Sequence, residues 1–189
     1  MCSQRRMTGI AAVRWWPPVG VLAMLVLGWA VGNGSTALDD WFLHDVRHTV
    51  GKRIGWLLTF TDVWLLGPVL AACVAMALYR RRWRRAAVLL ALPLAAIEIN
   101  VLLKRLFERY KGDSLAYPSG HTTLMVTVLG MVVLTLGWRL WTVAVAVAAG
   151  LLGMIGLACT YHYFTDTVGS ALFATALVCI AARLTSDPG

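Results

Sequence analysis

The stretch Pro118-Ser119-Gly120-His121 separates a polar loop from a long apolar run, and it combines a helix start with a titratable side chain. Ser119 can cap the first turn of a helix, and Gly120 allows a ligand to approach the backbone closely. A helix start attracts phosphate through its free amide groups and its dipole. An ordinary helix start explains Ser119 but not His121, whose imidazole can supply a proton near neutral pH. The stretch therefore predicts a helix that begins beside an anion site.

The chain as a whole is more apolar and less charged than an ordinary soluble domain. Of its 189 residues, 59% are hydrophobic and 14% are charged, and the mean hydropathy is +0.72. These values predict a membrane protein. The net charge of +8 does not indicate nucleic-acid binding, because the densest basic group, residues 80–85, simply joins two apolar runs. The four cysteines lack CxxC spacing and are expected to be free thiols.

Apolar runs long enough to cross a bilayer as helices recur along the chain, since a hydrocarbon core of about 30 Å needs about 20 helical residues. They lie near residues 15–33, 54–79, 86–105, 120–138, 140–160 and 166–184. The sequence thus predicts an all-α fold, an integral membrane bundle of six transmembrane helices that forms one domain over residues 1–189. The first helix is expected to begin after Pro17-Pro18. Residues 1–13 and 185–189 are expected to be flexible tails.

The polar segment of residues 34–53 joins the first two runs. Within it, Phe42, Val46 and Val50 recur at every fourth position. This spacing predicts an amphipathic helix at the membrane interface.

The distribution of Lys and Arg predicts the orientation in the membrane. Basic residues gather at one set of helix ends, namely Arg5, Arg6, Arg14, the cluster at 80–85, Arg139 and Arg183. By the positive-inside rule these ends are cytoplasmic. The segment 34–53, the loop 106–119 and the turn around His162 then lie on the extracytoplasmic side of a multi-pass protein, in what we expect to be a bacterial cell membrane.

Further candidate residues fall on this extracytoplasmic side. Four basic residues lie within eight positions, namely Lys104, Arg105, Arg109 and Lys111. One lysine at the end of a span is normally a side chain reaching for the interface. A cluster on the side that is normally depleted of Lys and Arg favours an anionic ligand instead. His162 and Asp166 follow at the last run, close enough in sequence for the carboxylate to orient the imidazole.

These residues resemble the motifs of the type 2 phosphatidic acid phosphatase superfamily, which also includes vanadium haloperoxidases. The first motif of that family is a Lys, six residues and Arg-Pro. Here six residues separate Lys104 from Lys111-Gly112, and Arg109 matches an additional Arg common in members. The second motif is complete as residues 118–121. The resemblance covers the third to sixth apolar runs directly, and it implies the six-helix arrangement.

The third motif of the family is Ser-Arg, five residues, His, three residues and Asp. His162 and Asp166 match it, whereas Ile155-Gly156 replace Ser-Arg. Gly156 cannot supply a guanidinium, and Lys111 offers a point charge where an Arg would bind in bidentate fashion. Loss of one such donor typically costs about 2.7 to 4 kcal/mol of transition-state stabilisation. The resemblance therefore implies a phosphate site whose set of cations is incomplete.

By this resemblance the protein is a lipid phosphatase, acting on a phosphate monoester or diphosphate of the phosphatidate, phosphatidylglycerophosphate or polyprenyl phosphate type. His162 would attack phosphorus to form a phosphohistidine, Asp166 would orient it, and His121 would protonate the leaving oxygen. The phosphoryl oxygens would be held by Lys104, Lys111, Ser119 and the Gly120 amide, with Arg105 or Arg109 compensating for the missing Arg. The family needs no metal or cofactor. The expected partners are the bilayer and a lipid phosphate.

Two other functions stay open at this stage. Without its full set of cations, the protein could be a catalytically silent relative that binds or transfers lipid phosphates. Glu98 lies within the third apolar run and could mark the ion pathway of a small transporter, although a single intramembrane acid more often pairs inside the bundle. Asn100 lies one turn before the motif lysine and could orient it. Asp40, His44 and His48 could bind a metal, but a solvated polar face is the simpler interpretation.

Overall fold

The computed structural model describes the backbone of residues 2–186 and the side chains of residues 13–186. Nearly all of this part is helical. Its helices are α1 (Cys2–Val31), α2 (Ala37–Trp41), α3 (Arg47–Val50), α4 (Ile54–Leu58), α5 (Val63–Tyr79), α6 (Trp83–Phe107), α7 (Gly120–Leu136), α8 (Leu140–Ala158) and α9 (Phe164–Thr185). A π-helical turn (Phe42–Val46) and two 3-10 turns (Gly51–Arg53 and Thr59–Thr61) continue the path between α2 and α5. The prediction of a helical fold is confirmed.

Every apolar run identified in the sequence contains a helix. Five helical stretches are long and apolar enough to cross a membrane, namely Val13–Val31, Ala37–Tyr79, Trp83–Phe107, Leu140–Ala158 and Phe164–Thr185. Helix α7 is also apolar but has 17 residues, a length of about 25 Å. The multi-pass membrane class is thus supported, while a crossing by α7, and with it the number six, stays a prediction.

The first helix begins earlier than the sequence indicated. Helix α1 runs from Cys2 through Pro17 and Pro18, which lie inside it. Proline removes a hydrogen bond from a helix, but its fixed φ is close to the helical value, so a helix can continue through it. The tail predicted for residues 1–13 is therefore helical from its second residue. The tail predicted for 185–189, apart from its first two residues, lies outside the described residues.

The second predicted helix, residues 54–79, is interrupted at Asp62. This residue has an extended backbone, and its carboxylate accepts a hydrogen bond from the Trp64 amide at 2.9 Å, which caps α5. An aspartate that bonds its own neighbouring backbone competes with helix continuation. The break makes residues 37–61 a separate helical segment, which packs against the C-terminal end of α8.

The apolar side of this segment packs against the protein, whereas its fourfold spacing predicted a helix at the membrane interface. Phe42 is buried and stacks on Phe164, with ring centroids 4.1 Å apart and planes within 5° of parallel. Phe42 also packs with Ala158 and Cys159, and Val46 lies against the same cluster. The segment therefore rests on the ends of α8 and α9 rather than on a membrane surface alone.

Helix α7 lies at the centre of the bundle, in contact with α5, α6, α8 and α9. Its N-terminus meets the C-terminal ends of α6 and α8 and the N-terminal ends of α5 and α9. Two short antiparallel strands, β1 (Tyr110–Lys111) and β2 (Ser114–Leu115), form a hairpin in the loop before α7. At the opposite end, Arg85 of the arginine cluster donates to the Thr185 carbonyl. The fold thus gathers the candidate site residues at one end and this cluster at the other.

Candidate active site

The stretch that begins α7 has the capped helix start that the sequence predicted. Ser119 is fully buried, and its hydroxyl accepts a hydrogen bond from the Thr122 amide at 3.3 Å. The Ser119 amide in turn donates to the Asp166 carbonyl of α9 at 3.4 Å. The amides of Gly120 and His121 precede the first intrahelical hydrogen bonds, so they have no acceptor within the helix. These two amides are therefore available at the N-terminal end of α7.

Tyr117 holds the approach to this helix against two neighbouring helices. Its hydroxyl donates to the Met24 carbonyl of α1, and its ring packs edge-on against Phe107 with centroids 4.9 Å apart. A Cβ atom on Gly28 or on Gly169 would collide with the Tyr117 ring. The two glycines therefore allow α1 and α9 to close on this side chain, and the anchored ring fixes where α7 begins.

The two site histidines lie next to each other although 41 positions separate them in the chain. Their ring centroids are 6.0 Å apart. His121 lies in the first turn of α7 and is exposed, whereas His162 lies in the turn between α8 and α9 and is 7% exposed. The backbone amide of His162 donates to the Leu157 carbonyl at 3.0 Å, which ties this turn to α8. One ligand can therefore contact both imidazoles.

The surroundings of His162 favour its neutral form. Burial lowers the pKa of His162 to about 3, and the nearby positive charges of Lys104, His121 and Lys111 act in the same direction. At neutral pH its imidazole therefore carries a nitrogen lone pair. A neutral imidazole is the form that can act as a nucleophile.

The carboxylate predicted to orient His162 lies close to it without forming a hydrogen bond. Nδ1 of His162 is 3.9 Å from Oδ2 of Asp166, and this buried nitrogen has no partner among the described residues. Asp166 is fully buried, and its Oδ2 accepts from the Tyr163 amide at 2.9 Å. Catalytic hydrogen bonds are often long before substrate binds. The geometry is compatible with the predicted pair, which a small shift of the ring would complete.

Arg109 is the cation paired with Asp166. It is 1% exposed, and its guanidinium donates to Oδ1 of Asp166 at 2.7 Å and to Oδ2 of Asp39 at 3.0 Å. It also donates to the Thr165 hydroxyl at 2.8 Å and to the Gly34 carbonyl at 2.7 Å. These contacts give Arg109 a structural role that the sequence did not indicate, while its suggested role in phosphate binding stays a prediction. The terminal nitrogens of its guanidinium bond the protein itself, because two buried carboxylates need a cation between them, whereas the buried Nε has no partner among the described residues.

Asp39 is a site component that the sequence analysis missed. It is fully buried, accepts from the amide of Thr165, and forms a capping box with Thr36. The spacing of Thr36 and Asp39 was a visible sign of a helix start. Nothing in the sequence, however, linked this carboxylate to an arginine 70 positions later.

Lys111 lies beside the nucleophile candidate, as its place in the first motif implied. Its ammonium group donates to the carbonyls of His162 at 2.8 Å and Thr160 at 3.1 Å, and it lies 4.9 Å from the centre of the Tyr163 ring. Burial lowers the pKa of Lys111, while the carboxylate of Asp166 opposes this shift. An ammonium group has three N–H donors, so one remains for a ligand.

The remaining basic candidates differ in placement. Lys104 is half-buried and donates to the Leu115 carbonyl of the hairpin at 2.5 Å. Arg105 is exposed, and no hydrogen bond between it and a site histidine occurs in the described part of the chain. Asn100 donates to the Thr123 hydroxyl at 2.9 Å, so it braces α7 rather than orienting the lysine as expected. Of the two cations on α6, Lys104 is therefore the better placed to contact a phosphate between the site histidines.

Gly156 stands where the third motif has its arginine, and its lack of a side chain allows a neighbouring segment to approach α8 closely. A Cβ atom at this position would lie 2.8 Å from Cβ of Leu57 and 3.1 Å from the Leu57 carbonyl carbon. Both contacts are with the segment of residues 37–61, and one is with its backbone. The space for a longer side chain is therefore occupied by a neighbouring helix.

Two alternatives from the sequence gain no support. Glu98 is exposed on the outer side of α6, so it does not line a pathway inside the bundle. His44 and His48 are also exposed, and no group of three or more His, Cys, Asp or Glu side chains suited to a metal occurs among the described residues. Neither the transporter nor the metal interpretation is therefore supported by an arrangement of these side chains in the described residues.

The protein is thus a helical membrane bundle in which two histidines meet at the N-terminal end of the central helix. The family model of the PAP2 superfamily matches residues 100–188, the part of the chain that carries the three motifs, and this match confirms the predicted resemblance. A solved structure of a transmembrane PAP2-type phosphatidylglycerolphosphate phosphatase from Bacillus subtilis has a similar fold, with a TM-score of 0.72 and 18% identity. The match covers 88% of this chain and 94% of that chain. No curated protein sequence matches the chain.

Proposed function

We propose that the protein is a membrane lipid phosphatase that hydrolyses a lipid phosphate monoester or diphosphate through a phosphohistidine intermediate. The observation that carries this proposal is the pair His121 and His162, with ring centroids 6.0 Å apart beside the free amides of α7. One imidazole is buried and neutral, while the other is open to a cleft. The buried neutral imidazole suits a nucleophile, and the imidazole that opens to the cleft suits a proton donor. The match of residues 100–188 to the PAP2 superfamily supports the same reaction class.

In the first step, a ring nitrogen of His162 attacks phosphorus and the bond from phosphorus to the ester oxygen breaks. His121 gives its proton to that oxygen, so the lipid alcohol leaves in neutral form. In the second step, water attacks the phosphohistidine while the neutral His121 accepts a proton from the water. The phosphorus–nitrogen bond then breaks, inorganic phosphate leaves, and both histidines return to their starting states.

The charge that develops on the phosphoryl oxygens needs donors that are already in place. The amides of Gly120 and His121 supply two, and Lys104 and Lys111 supply ammonium groups on either side. Ser119 fixes the turn that presents the amides. Arg109 contributes indirectly, because it holds Asp166 beside His162. This division of roles replaces the arginine of the third motif with backbone donors and lysines.

The proposed site lies on the extracytoplasmic side, because the arginine cluster at the opposite end is expected to be cytoplasmic. A cysteine placed at the exposed Ser114 of the hairpin tests this in a cysteine-free background. We expect an impermeant thiol reagent to label it in intact cells. Labelling that requires permeabilised cells would reverse the orientation.

The test of the reaction is phosphate release from a panel of lipid phosphates by the full chain in detergent. We expect His121→Ala to lower kcat by about 10²- to 10⁴-fold, the usual contribution of a general acid. His162→Ala should abolish release, because it removes the nucleophile. His44→Ala is a matched control, since His44 is an exposed histidine outside the site. Equal release by the wild type and both site variants would reject the hydrolase, and no release by the wild type would favour a silent binding protein.

A further inference from the structure

A cleft of about 470 Å³ opens beside His121 at the site end of the bundle. Its walls come from residues 55–64, from Leu157 of α8 and from Tyr161 in the following turn. In the proposed reaction His121 protonates the leaving oxygen, so the group attached to that oxygen must lie next to His121. The cleft is therefore the space available to the alcohol part of a substrate.

The lining of this cleft carries groups that recognise hydroxyls. Asp62 is exposed, and one oxygen of its carboxylate accepts from the Trp64 amide, which leaves the second oxygen as an acceptor. Tyr161 is 66% exposed and brings a phenolic hydroxyl that can donate or accept. Thr59 lines the same wall with a second hydroxyl. A ligand with its own hydroxyl groups can thus find both donors and acceptors here.

The second carboxylate oxygen of Asp62 is not needed for its role as a helix cap. A helix cap requires one acceptor oxygen, which an uncharged Asn supplies equally well. No ion pair neutralises Asp62 within the described residues, and no hydrogen bond links it to His121 there, so it does not orient that imidazole. A carboxylate in a substrate cleft attracts hydroxyl donors and repels a second phosphate. The cleft is therefore selective by charge as well as by hydrogen bonding.

Building on the proposed function, we propose that Asp62, together with Tyr161, forms a subsite for the leaving alcohol. The preferred substrate is then a lipid phosphate monoester whose alcohol carries a free hydroxyl next to the ester. A lipid diphosphate is disfavoured, because its leaving group is itself a phosphate and would lie against the Asp62 carboxylate. A hydrogen bond to a charged group is worth roughly ten- to hundredfold in affinity, which sets the expected size of the preference.

Three substrates in one detergent separate these possibilities. Lysophosphatidate has a free hydroxyl beside the ester, phosphatidate has the same position acylated, and farnesyl diphosphate has an anionic leaving group. We expect the wild type to have the highest kcat/KM for lysophosphatidate. Asp62→Asn keeps the helix cap, and it should lower the ratio of kcat/KM for lysophosphatidate to that for farnesyl diphosphate by about tenfold or more. Tyr161→Phe should lower kcat/KM for lysophosphatidate alone.

Asp45→Asn is the matched control, because Asp45 is exposed in the same segment but does not line the cleft. An unchanged substrate ratio in Asp62→Asn, or an equal loss on all three substrates with a lower melting temperature, would overturn the subsite. An equal shift in Asp45→Asn would assign the effect to general surface charge and also overturn it. If His162→Ala leaves phosphate release intact, the proposed function itself fails, and this outcome is distinct from an unchanged ratio with His162-dependent release.

Discussion

Replacing Arg109 with leucine would remove the cation that lies between two buried carboxylates. The side chains of Arg109, Asp39 and Asp166 are 1%, 0% and 0% exposed, and the two ion pairs measure 3.0 and 2.7 Å. Leucine fills part of the volume but donates no hydrogen bond. Asp39 and Asp166 would then face each other without a counter-charge, and neither can reach water without opening the site.

Removing one partner of a buried ion pair costs about 3 to 5 kcal/mol, because the other charge stays buried and unpaired. Arg109→Leu strands two carboxylates, so we expect a loss of unfolding free energy at or above the lower end of this range. Adding Asp39→Asn removes one of the stranded charges. The double variant should therefore be more stable than the sum of the single changes predicts, by up to about 3 kcal/mol.

The assay is unfolding in mixed detergent micelles, followed by the fluorescence of the nine tryptophans of the chain. Arg105→Leu is the matched control, since Arg105 is exposed, and its effect should stay within about 0.5 kcal/mol. Additivity of Arg109→Leu and Asp39→Asn within about 0.5 kcal/mol would show that the two side chains do not interact. That result would refute the buried charge network.

Three further changes test other parts of the site. Gly120→Ala should leave the melting temperature unchanged, since its Cβ would meet Asn100 Oδ1 at an ordinary 3.5 Å; phosphate release should nevertheless fall, and unaltered kcat/KM would mean that phosphate does not approach this backbone. Gly156→Ala should destabilise the fold by about 1 to 3 kcal/mol through its contact with Leu57, measurable in the same unfolding assay. The lowered pKa of His162 means that stability is greatest above its unfolded pKa of about 6.5 and falls by about 2 kcal/mol by pH 5. In unfolding at pH 7 and pH 5, His162→Gln should lose less stability than the wild type, and an equal loss would contradict the buried neutral imidazole.

The positions of most helices could be predicted from the sequence, because the length of an apolar run and the bilayer thickness constrain each other. The start of α7 could also be predicted from the sequence, since Ser119 is a strong cap directly before an apolar run. The break at Asp62 was missed, because the apolar residues on both sides of it concealed a local cap. The start of α1 was misjudged because Pro17 and Pro18 were taken as a helix boundary, whereas the helix continues through them.

The site was predictable where short-range spacing carries chemistry and unpredictable where it depends on distant pairs. The motif spacing placed His121 and His162 in one site, and the structure brings them together. Arg109 was assigned to phosphate because its partners were unknown. Its pairing with Asp39 joins positions 70 residues apart, and no local pattern encodes such a contact. The packing of Leu57 against Gly156 was hidden in the same way.

The three residues of the charge network around Arg109 are synthesised far apart in time. A ribosome produces Asp39 first, Arg109 later and Asp166 only with the final helix, so the first two residues must wait for their third partner. The site therefore cannot form in a chain that stops before α9. A chain without α9 would hold Asp39 and Arg109 only as a simple ion pair, and the buried network would be completed when Asp166 joins it.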